Sequence, residues 1–206
     1  EKDTSPKIIV TTPILEDLVL TLLGPEINVK SLIKRGENPL GATFNKANEA
    51  LLKHADFLIV NGSQVDGPYQ NAQQLVSNDT IVINIKTLFR EDKGDNPYYW
   101  MNIIDWSQLV YLMQVKLRNV LPNRRSELNY RMTAYSKEVY DYYQKIRNEI
   151  DERQLNQMAF ATNHPSFKPF ADLFRLKCTV IKISDNPTEQ EINNIVDQLE
   201  KEGIST

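Results

Sequence analysis

KIIVTTPILEDLVLTLLGP, residues 7–25, is the stretch of sequence that decides the fold. Residues 7–12 are rich in β-branched side chains, which favour a strand. The leucine-rich segment Ile14 to Leu23 follows with the apolar spacing of an amphipathic helix, and Gly24 and Pro25 end it. A strand that leads directly into a helix is the first half of a β-α-β unit, so the stretch predicts a parallel sheet.

Three later runs repeat this pattern in the first half of the chain. Residues 27–33, 56–60 and 80–85 are predicted strands, because each is apolar, short and followed by a turn signal. Three of the four predicted strands are apolar enough to be buried on both faces. The pattern therefore predicts an N-terminal α/β lobe, residues 1–123, in which helices cover a parallel sheet.

One long helix is predicted for residues 124–153. This segment contains neither Gly nor Pro, and its apolar side chains recur at intervals of three and four residues. At about 1.5 Å per residue the helix would span roughly 45 Å, which is longer than one small domain is wide. We interpret it as a spine helix that joins two lobes.

The strand and helix pattern starts again after the spine helix. Strands are predicted at 157–162 and 178–183, with a helix at 169–176 and a final helix that begins near 186–189. Asn186 is the predicted cap of the final helix and Pro187 lies in its predicted first turn. The fold class is thus α/β, with two βαβ lobes, parallel sheets and one linking helix. The C-terminal lobe, 154–206, is predicted to be incomplete, because two strands and two helices leave a sheet edge uncovered.

Composition excludes several classes of protein. The 206 residues are 41% hydrophobic and 25% charged, which fits a folded chain and not a disordered one. A net charge of −3 and a pI near 5.5 do not favour binding to nucleic acid. No apolar run approaches the length of a membrane span, and residues 1–6 are not typical of a signal peptide. The single Cys178 allows no internal disulfide, and its apolar neighbours predict a buried strand position.

No catalytic motif is present in the sequence. The G-x-S-x-G, H-E-x-x-H and C-x-x-C patterns are missing, as are the glycine-rich phosphate loops. A Ser-His-Asp arrangement would have to use His164 with Ser166, and side chains two residues apart seldom converge. We therefore predict a binding protein and not an enzyme.

Several motifs resemble one family, the zinc- and manganese-binding subfamily of ABC-transporter substrate-binding proteins. Members typically show G-x-D-P-H-x-Y-E-P, a helix that ends in A-D, a strand and N-G-x-x-x-E. The segment 36–44, the run 55–62 and Asp66 match these motifs in order. The family stretch D-P-H-x-W is similar to 96–100, and H-x-A-F is similar to 164–167. The resemblance implies a two-lobed receptor that delivers a divalent metal to a membrane permease.

The resemblance also implies positions for the ligand cleft. In the family, two histidines of the first lobe, one of the second and a late carboxylate hold the metal. By position the three histidines correspond to Leu40, Tyr98 and His164, and the carboxylate lies beyond Thr206. Asn38, Leu40, Tyr98 and His164 are thus the expected cleft residues, with His164 as the remaining metal ligand. Zinc requires about four N, S or O donors, so the resemblance implies an altered zinc site.

Other ligand sets stay open from the sequence. Glu37, Asp66 and Asp95 could join His164 in a carboxylate-rich site for manganese or calcium. The aromatic cluster 98–100 could stack on an organic ligand or simply pack between the lobes. The second histidine, His54, is expected to face solvent.

The preferred interpretation is an extracytoplasmic or periplasmic, monomeric solute-binding protein that works with an ABC permease in the membrane. A lipid anchor in the precursor is compatible with it. Zinc or manganese is the implied ligand, and a protein without a metal is an equal alternative. The rival hypothesis is a non-transport interaction or adhesion protein that keeps the scaffold.

Overall fold

The computed structural model describes residues 6–89, 97–184 and 186–204. The chain divides into two compact units. The first consists of 1–97 and 108–136, and the second of 98–107 and 137–206. None of the helices in the described part of the chain is both long and apolar enough to cross a membrane.

A parallel sheet forms the centre of the first unit. Its strands are β1 (Ile8–Val10), β2 (Val29–Ser31), β3 (Phe57–Val60) and β4 (Ile81–Asn84), in the order β2-β1-β3-β4. Every pairing is parallel, with Ile8 opposite Val29 and Phe57. β1 and β3 are buried throughout because they are the inner strands. β2 and β4 are the outer strands and are partly exposed, with Ile81 of β4 36% exposed. Two strands are thus buried on both faces, where three were predicted.

Helix α1 (Pro13–Leu23) covers this sheet with a leucine-rich face. Leu15, Leu18 and Leu22 are fully or almost fully buried. The helix ends at Gly24, whose φ of 88° is accessible to glycine without strain. Arg124 donates from Nη1 to the carbonyl of Leu23 at 3.2 Å, which satisfies a carbonyl left free at the helix end. The short helix α2 (Lys46–Lys53) follows later in this unit.

Two long helices carry the chain from one unit to the other. α3 spans Ile103–Val120, and α4 spans Arg125–Glu152, as the helix-compatible sequence predicted. The side chains of α4 that recur at intervals of three and four include Tyr142, but Tyr142 is 61% exposed. Its neighbour Tyr143 packs on Phe174 instead, with ring centroids 5.6 Å apart. Both tyrosines fit a spacing of three or four, so periodicity alone could not choose between them.

The second unit contains the parallel pair β5 (Ala159–Thr162) and β6 (Lys177–Val180). Helices α5 (Lys168–Leu173) and α6 (Glu189–Lys201) follow the two strands. The predicted cap of α6 was wrong. The cap is Thr188, whose hydroxyl accepts from the Glu191 amide at 3.2 Å, and Asn186 and Pro187 lie before the helix. Cys178 lies in β6 as predicted, but it is only partly buried.

The compact units differ from the predicted boundaries 1–123, 124–153 and 154–206. Residues 98–107 group with the second unit, where Tyr99 stacks on Trp106 with a centroid distance of 6.4 Å. The predicted spine also divides, since α4 belongs to the first unit up to Ser136 and to the second from Lys137. The predicted domain boundaries stay a prediction.

Candidate functional site

Asn38 and Leu40 lie in the first unit, on the loop between β2 and α2. Asn38 caps the one-turn 3-10 helix Pro39–Gly41, because its Oδ1 accepts from the Leu40 amide at 3.1 Å. Pro39 occupies the first position of that turn, where its fixed φ is compatible with a helical start. The Leu40 side chain is 74% exposed and provides only hydrocarbon. The Asn38 amide oxygen is thus occupied by the backbone, and Leu40 has no donor for a metal.

Asp66 is a fully buried carboxylate of the first unit that binds five donors. Its Oδ1 accepts from the Thr11 hydroxyl, from the Asn61 amide at 3.0 Å and from Asn61 Nδ2 at 2.8 Å. Its Oδ2 accepts from the amides of Gly62 at 2.8 Å and Ser63 at 3.3 Å. These bonds tie the turn after β3 to the end of β1. A metal at Asp66 would have to displace these donors, so the geometry favours a structural role for this predicted ligand.

Tyr98 and His164 lie together in the second unit. The Tyr98 hydroxyl is 3.4 Å from His164 Nε2, and the two ring centroids are 5.3 Å apart at a steep angle. Tyr98 also meets Trp100 edge to face, at 5.7 Å. His164 caps the one-turn helix Pro165–Phe167, since its Nδ1 accepts from the Ser166 amide at 3.3 Å. Thr162 holds the His164 backbone, accepting from its amide at 3.2 Å.

These contacts engage both ring nitrogens of His164. A neutral imidazole has one N–H donor and one acceptor nitrogen, and Nδ1 accepts from the Ser166 amide. In that neutral form Nε2 would donate its N–H to the Tyr98 oxygen. A metal-ligating histidine has the opposite pattern, with one nitrogen on the metal and the other donating an N–H to a neighbour. His164 would have to give up both of these hydrogen bonds in order to bind a cation through Nε2 as a neutral ligand.

The remaining candidates are dispersed. Glu37 is exposed, and its Oε2 accepts from the Lys34 amide at 3.0 Å, while Asp95 lies outside the described residues. Over 6–89, 97–184 and 186–204, no group of three or more His, Cys, Asp or Glu side chains is placed to hold a metal ion. Burial raises the pKa of the Cys178 thiol, which makes the reactive thiolate scarcer.

His54 is exposed, as expected, at the end of α2. It lines an open groove of about 390 Å³ together with Asp56 and Thr80. Asp56 and Thr80 directly precede β3 and β4, so the groove lies at the amino ends of these strands. Parallel α/β sheets bind their ligands at the carboxyl ends, which makes this groove an unfavourable place for the main site.

Sequence reasoning placed Tyr98 and His164 in one site, and the structure brings these two together. Asn38, Leu40 and Asp66 belong to the other unit, so the predicted crevice that they share with His164 stays a prediction. Sequence reasoning did not predict the hydrogen bond from the Thr11 hydroxyl to Asp66 or the one from the Ser166 amide to His164. Thr11 is 55 residues from Asp66 and gives no local signal, whereas the His-Pro-Ser order at 164–166 is compatible with a capped turn.

Parallel α/β units together with a 28-residue helix are the architecture predicted for a helical-backbone receptor. The family model of the zinc-uptake complex component A, periplasmic (ZnuA), matches residues 8–206. The chain therefore belongs to the ZnuA family of metal ABC-transporter substrate-binding proteins. Members of this family are receptors that work with membrane permeases and are not enzymes, as predicted.

Individual relatives are distant in sequence. The metal ABC transporter substrate-binding lipoprotein of Lactococcus lactis is 19% identical, in an alignment that covers 96% of this chain and 68% of that protein. The periplasmic zinc-binding protein TroA of Treponema pallidum has a TM-score of 0.79 at 16% identity, over 96% of this chain and 75% of TroA. The manganese-bound periplasmic metal-binding protein of Candidatus Liberibacter asiaticus has a TM-score of 0.81 at 14% identity, over 98% of this chain and 78% of that protein. These structures confirm the predicted fold class.

Proposed function

We propose that this protein is an extracytoplasmic receptor of a metal ABC transporter whose usual histidine ligands have mostly been replaced. The observation that carries the proposal is the Tyr98–His164 pair, in which a phenol is 3.4 Å from the imidazole. The resemblance places a second histidine where Tyr98 lies. A neutral phenol, with a reference pKa of about 10, is a weak donor until a metal removes its proton. We therefore infer weaker zinc or manganese binding than an intact histidine set would give.

The relatives support the cellular setting of the proposal. Relatives from Lactococcus lactis and Streptococcus pyogenes are named as lipoproteins of ABC transporters. We infer an extracytoplasmic location, with a lipid anchor in the precursor and a membrane permease as partner. Zinc and manganese are the first ligands to test. An organic ligand that stacks on Tyr98 and Trp100 is the second.

A non-transport interaction or adhesion protein is the second candidate function. The observation that favours it is Leu40, which is 74% exposed at a position where the resemblance implies a metal ligand. An exposed leucine on an ordered turn can contribute apolar contact area to a protein partner. In this interpretation the scaffold is retained and the metal is not.

Thermal unfolding with zinc, manganese or calcium separates the two functions. A cation present at a hundred times its dissociation constant stabilises the folded protein by about 2.7 kcal/mol. A metal receptor should give a saturable rise in melting temperature with at least one cation, and His164→Ala should abolish that rise. His54→Ala is the matched control, because His54 is exposed and lines the groove at the amino ends of β3 and β4 in the first unit.

Two results would contradict the metal receptor. If no cation changes the melting temperature, the interaction protein becomes the better explanation. If a rise persists in His164→Ala, the metal binds elsewhere, and the Tyr98–His164 pair is not the site.

A further inference from the structure

The loop between β2 and α2 is attached to the sheet where it begins. The amide of Leu32 donates to the carbonyl of Val10 at 2.9 Å, and the amide of Ile33 donates to that of Thr11 at 3.1 Å. The segment 34–45 follows and carries Asn38 and Leu40. Most of its side chains are exposed, so its order must come from contacts made by a few positions.

One of these contacts is made by Gly67 with the 39–41 turn. Its φ is +54° and its ψ is −127°, a conformation that side chains with a Cβ rarely adopt. A Cβ built on Gly67 would overlap the Pro39 carbonyl oxygen and lie 2.9 Å from the carbonyl carbon. The backbone of the turn thus rests directly on the backbone of Gly67, and no other residue fits there.

The neighbours of Gly67 hold it in place. Asp66 is bonded to the ends of β1 and β3 through the five donors described above. On the other side, the Tyr69 side chain is 1% exposed, and its hydroxyl donates to the carbonyl of Thr43 at 3.3 Å. The Tyr69 ring also packs on Phe44, with centroids 5.6 Å apart. The loop is therefore supported at Pro39 and again at residues 43 and 44.

We propose that Gly67 is a positioning residue that holds the 39–41 turn, and with it Asn38 and Leu40, in one fixed conformation. The link to ligand capture rests on the proposed function, in which Asn38 and Leu40 are cleft residues. A loop that is already ordered loses little conformational entropy when a ligand or partner binds, so it contributes more of its contact energy to affinity. Leu40 is then a fixed apolar contact of the binding surface.

A nitroxide spin label at Leu40→Cys tests this proposal in a Cys178→Ser background, which leaves one thiol for the label. In the parent we expect restricted nanosecond motion. Gly67→Ala should shorten the correlation time of the label by about tenfold, because the added Cβ pushes the turn away from its support. In a separate variant the label is placed at Lys53→Cys on α2. Its correlation time should not change on Gly67→Ala, which separates a local release of the turn from general unfolding.

Gly36→Ala is the matched control. Gly36 lies in the same loop and has a φ of +81°, but a Cβ there would meet nothing within 4 Å. It therefore adds the same kind of backbone strain without the contact with Pro39. A similar mobilisation of the Leu40 label in both variants would contradict the proposal, as would an unchanged label in Gly67→Ala.

The labelled parent protein is sufficient for the test if Gly67→Ala does not fold. A freely tumbling label at residue 40 in the parent would overturn the proposal, and a restricted label would support it. No ligand is used in these measurements. A failed cation titration therefore counts against the proposed function alone, and a mobile label counts against the positioning role of Gly67 alone.

Discussion

Asp66 illustrates why single residues were the hardest part to predict. A carboxylate that follows a strand and an Asn-Gly turn can equally bind a cation or cap the backbone, and the local sequence is the same in both cases. The difference lies in Thr11, which is distant in the chain, and in three successive amides from Asn61 to Ser63. Sequence order shows neither. His164 differs, because its place near Tyr98 was expected and its bond to the Ser166 amide, which was not, is local to the His-Pro-Ser order.

We expect Asp66→Asn to lower the free energy of unfolding by about 3 kcal/mol, because an amide nitrogen in place of one oxygen leaves buried N–H donors without an acceptor. Chemical denaturation measures the change. Asp79→Asn is the control, since Asp79 is exposed, and should stay within about 0.5 kcal/mol of the parent. An equal effect of both substitutions would show that the buried bonds are not what stabilises the turn.

Strands and long helices were predicted well because their signals are local and repeated. The apolar runs at 56–60 and 80–85 contain β3 and β4, and the segment without Gly or Pro contains α4. Ends of elements were predicted less well. The Asn-Pro-Thr-Glu order at the start of α6 offers two side chains that could cap the helix. The backbone of Thr188 is extended and the helix begins at the next residue, so Thr188 is the cap.

The assignment of this cap leads to a test on α6. Thr188→Ala should destabilise the protein by about 1 kcal/mol, because the hydroxyl that accepts from the Glu191 amide is lost. Asn186→Ala, at the position first predicted as the cap, should be close to neutral. Urea unfolding of the two variants measures both values. The reverse order of effects would return the cap to Asn186.

Glu191 gives a pH-dependent contribution at the start of the same helix. The backbone amide and hydroxyl of Ser184 donate to its carboxylate at 2.7 and 2.8 Å, and these bonds lower the pKa of Glu191. A lowered pKa in the folded state means that the stabilisation is complete above the unfolded pKa, about 4.3, and is lost as the pH falls below it.

The melting temperature of the parent should thus exceed that of Glu191→Gln at pH 7, and the difference should shrink as the pH falls from about 5 to 3. Melts at a series of pH values measure this. In a Ser184→Ala background, which lacks one of the two bonds, the difference at pH 7 should be smaller. A difference that stays constant down to pH 3 would show that the carboxylate charge contributes nothing here.

For the chain as a whole, the fold class and the family could be predicted, but the ligand could not. The order of motifs along 36–66, 96–100 and 164–167 was sufficient for the family, because those motifs mark turns that a shared fold needs at fixed points. The ligand depends on a few side chains of the site. In the function proposed above, Leu40 and Tyr98 occupy two of the family's histidine positions, and neither offers an imidazole to a metal.

The proposed correspondence of Leu40 and Tyr98 with the family histidines can be tested by placing histidines at both positions. Leu40→His combined with Tyr98→His is expected to give measurable zinc binding by calorimetry, because with His164 it supplies three nitrogen donors, the set found in some zinc sites. Leu40→Asn combined with Tyr98→Phe changes the same positions without adding imidazole and serves as the control. A flat titration with the double histidine variant would mean that these positions do not correspond to the family ligands.

The contacts at the end of α1 have a consequence for the order in which the first unit can fold. The guanidinium of Arg124 reaches the Leu23 carbonyl across 101 residues, and Arg131 lies beside Gly24. All four strands of the first sheet precede both arginines in the chain, so the sheet can pair before the end of α1 is completed. A fragment that ends at residue 97 would keep every strand and α1 but would lack the Arg124 donor to the Leu23 carbonyl.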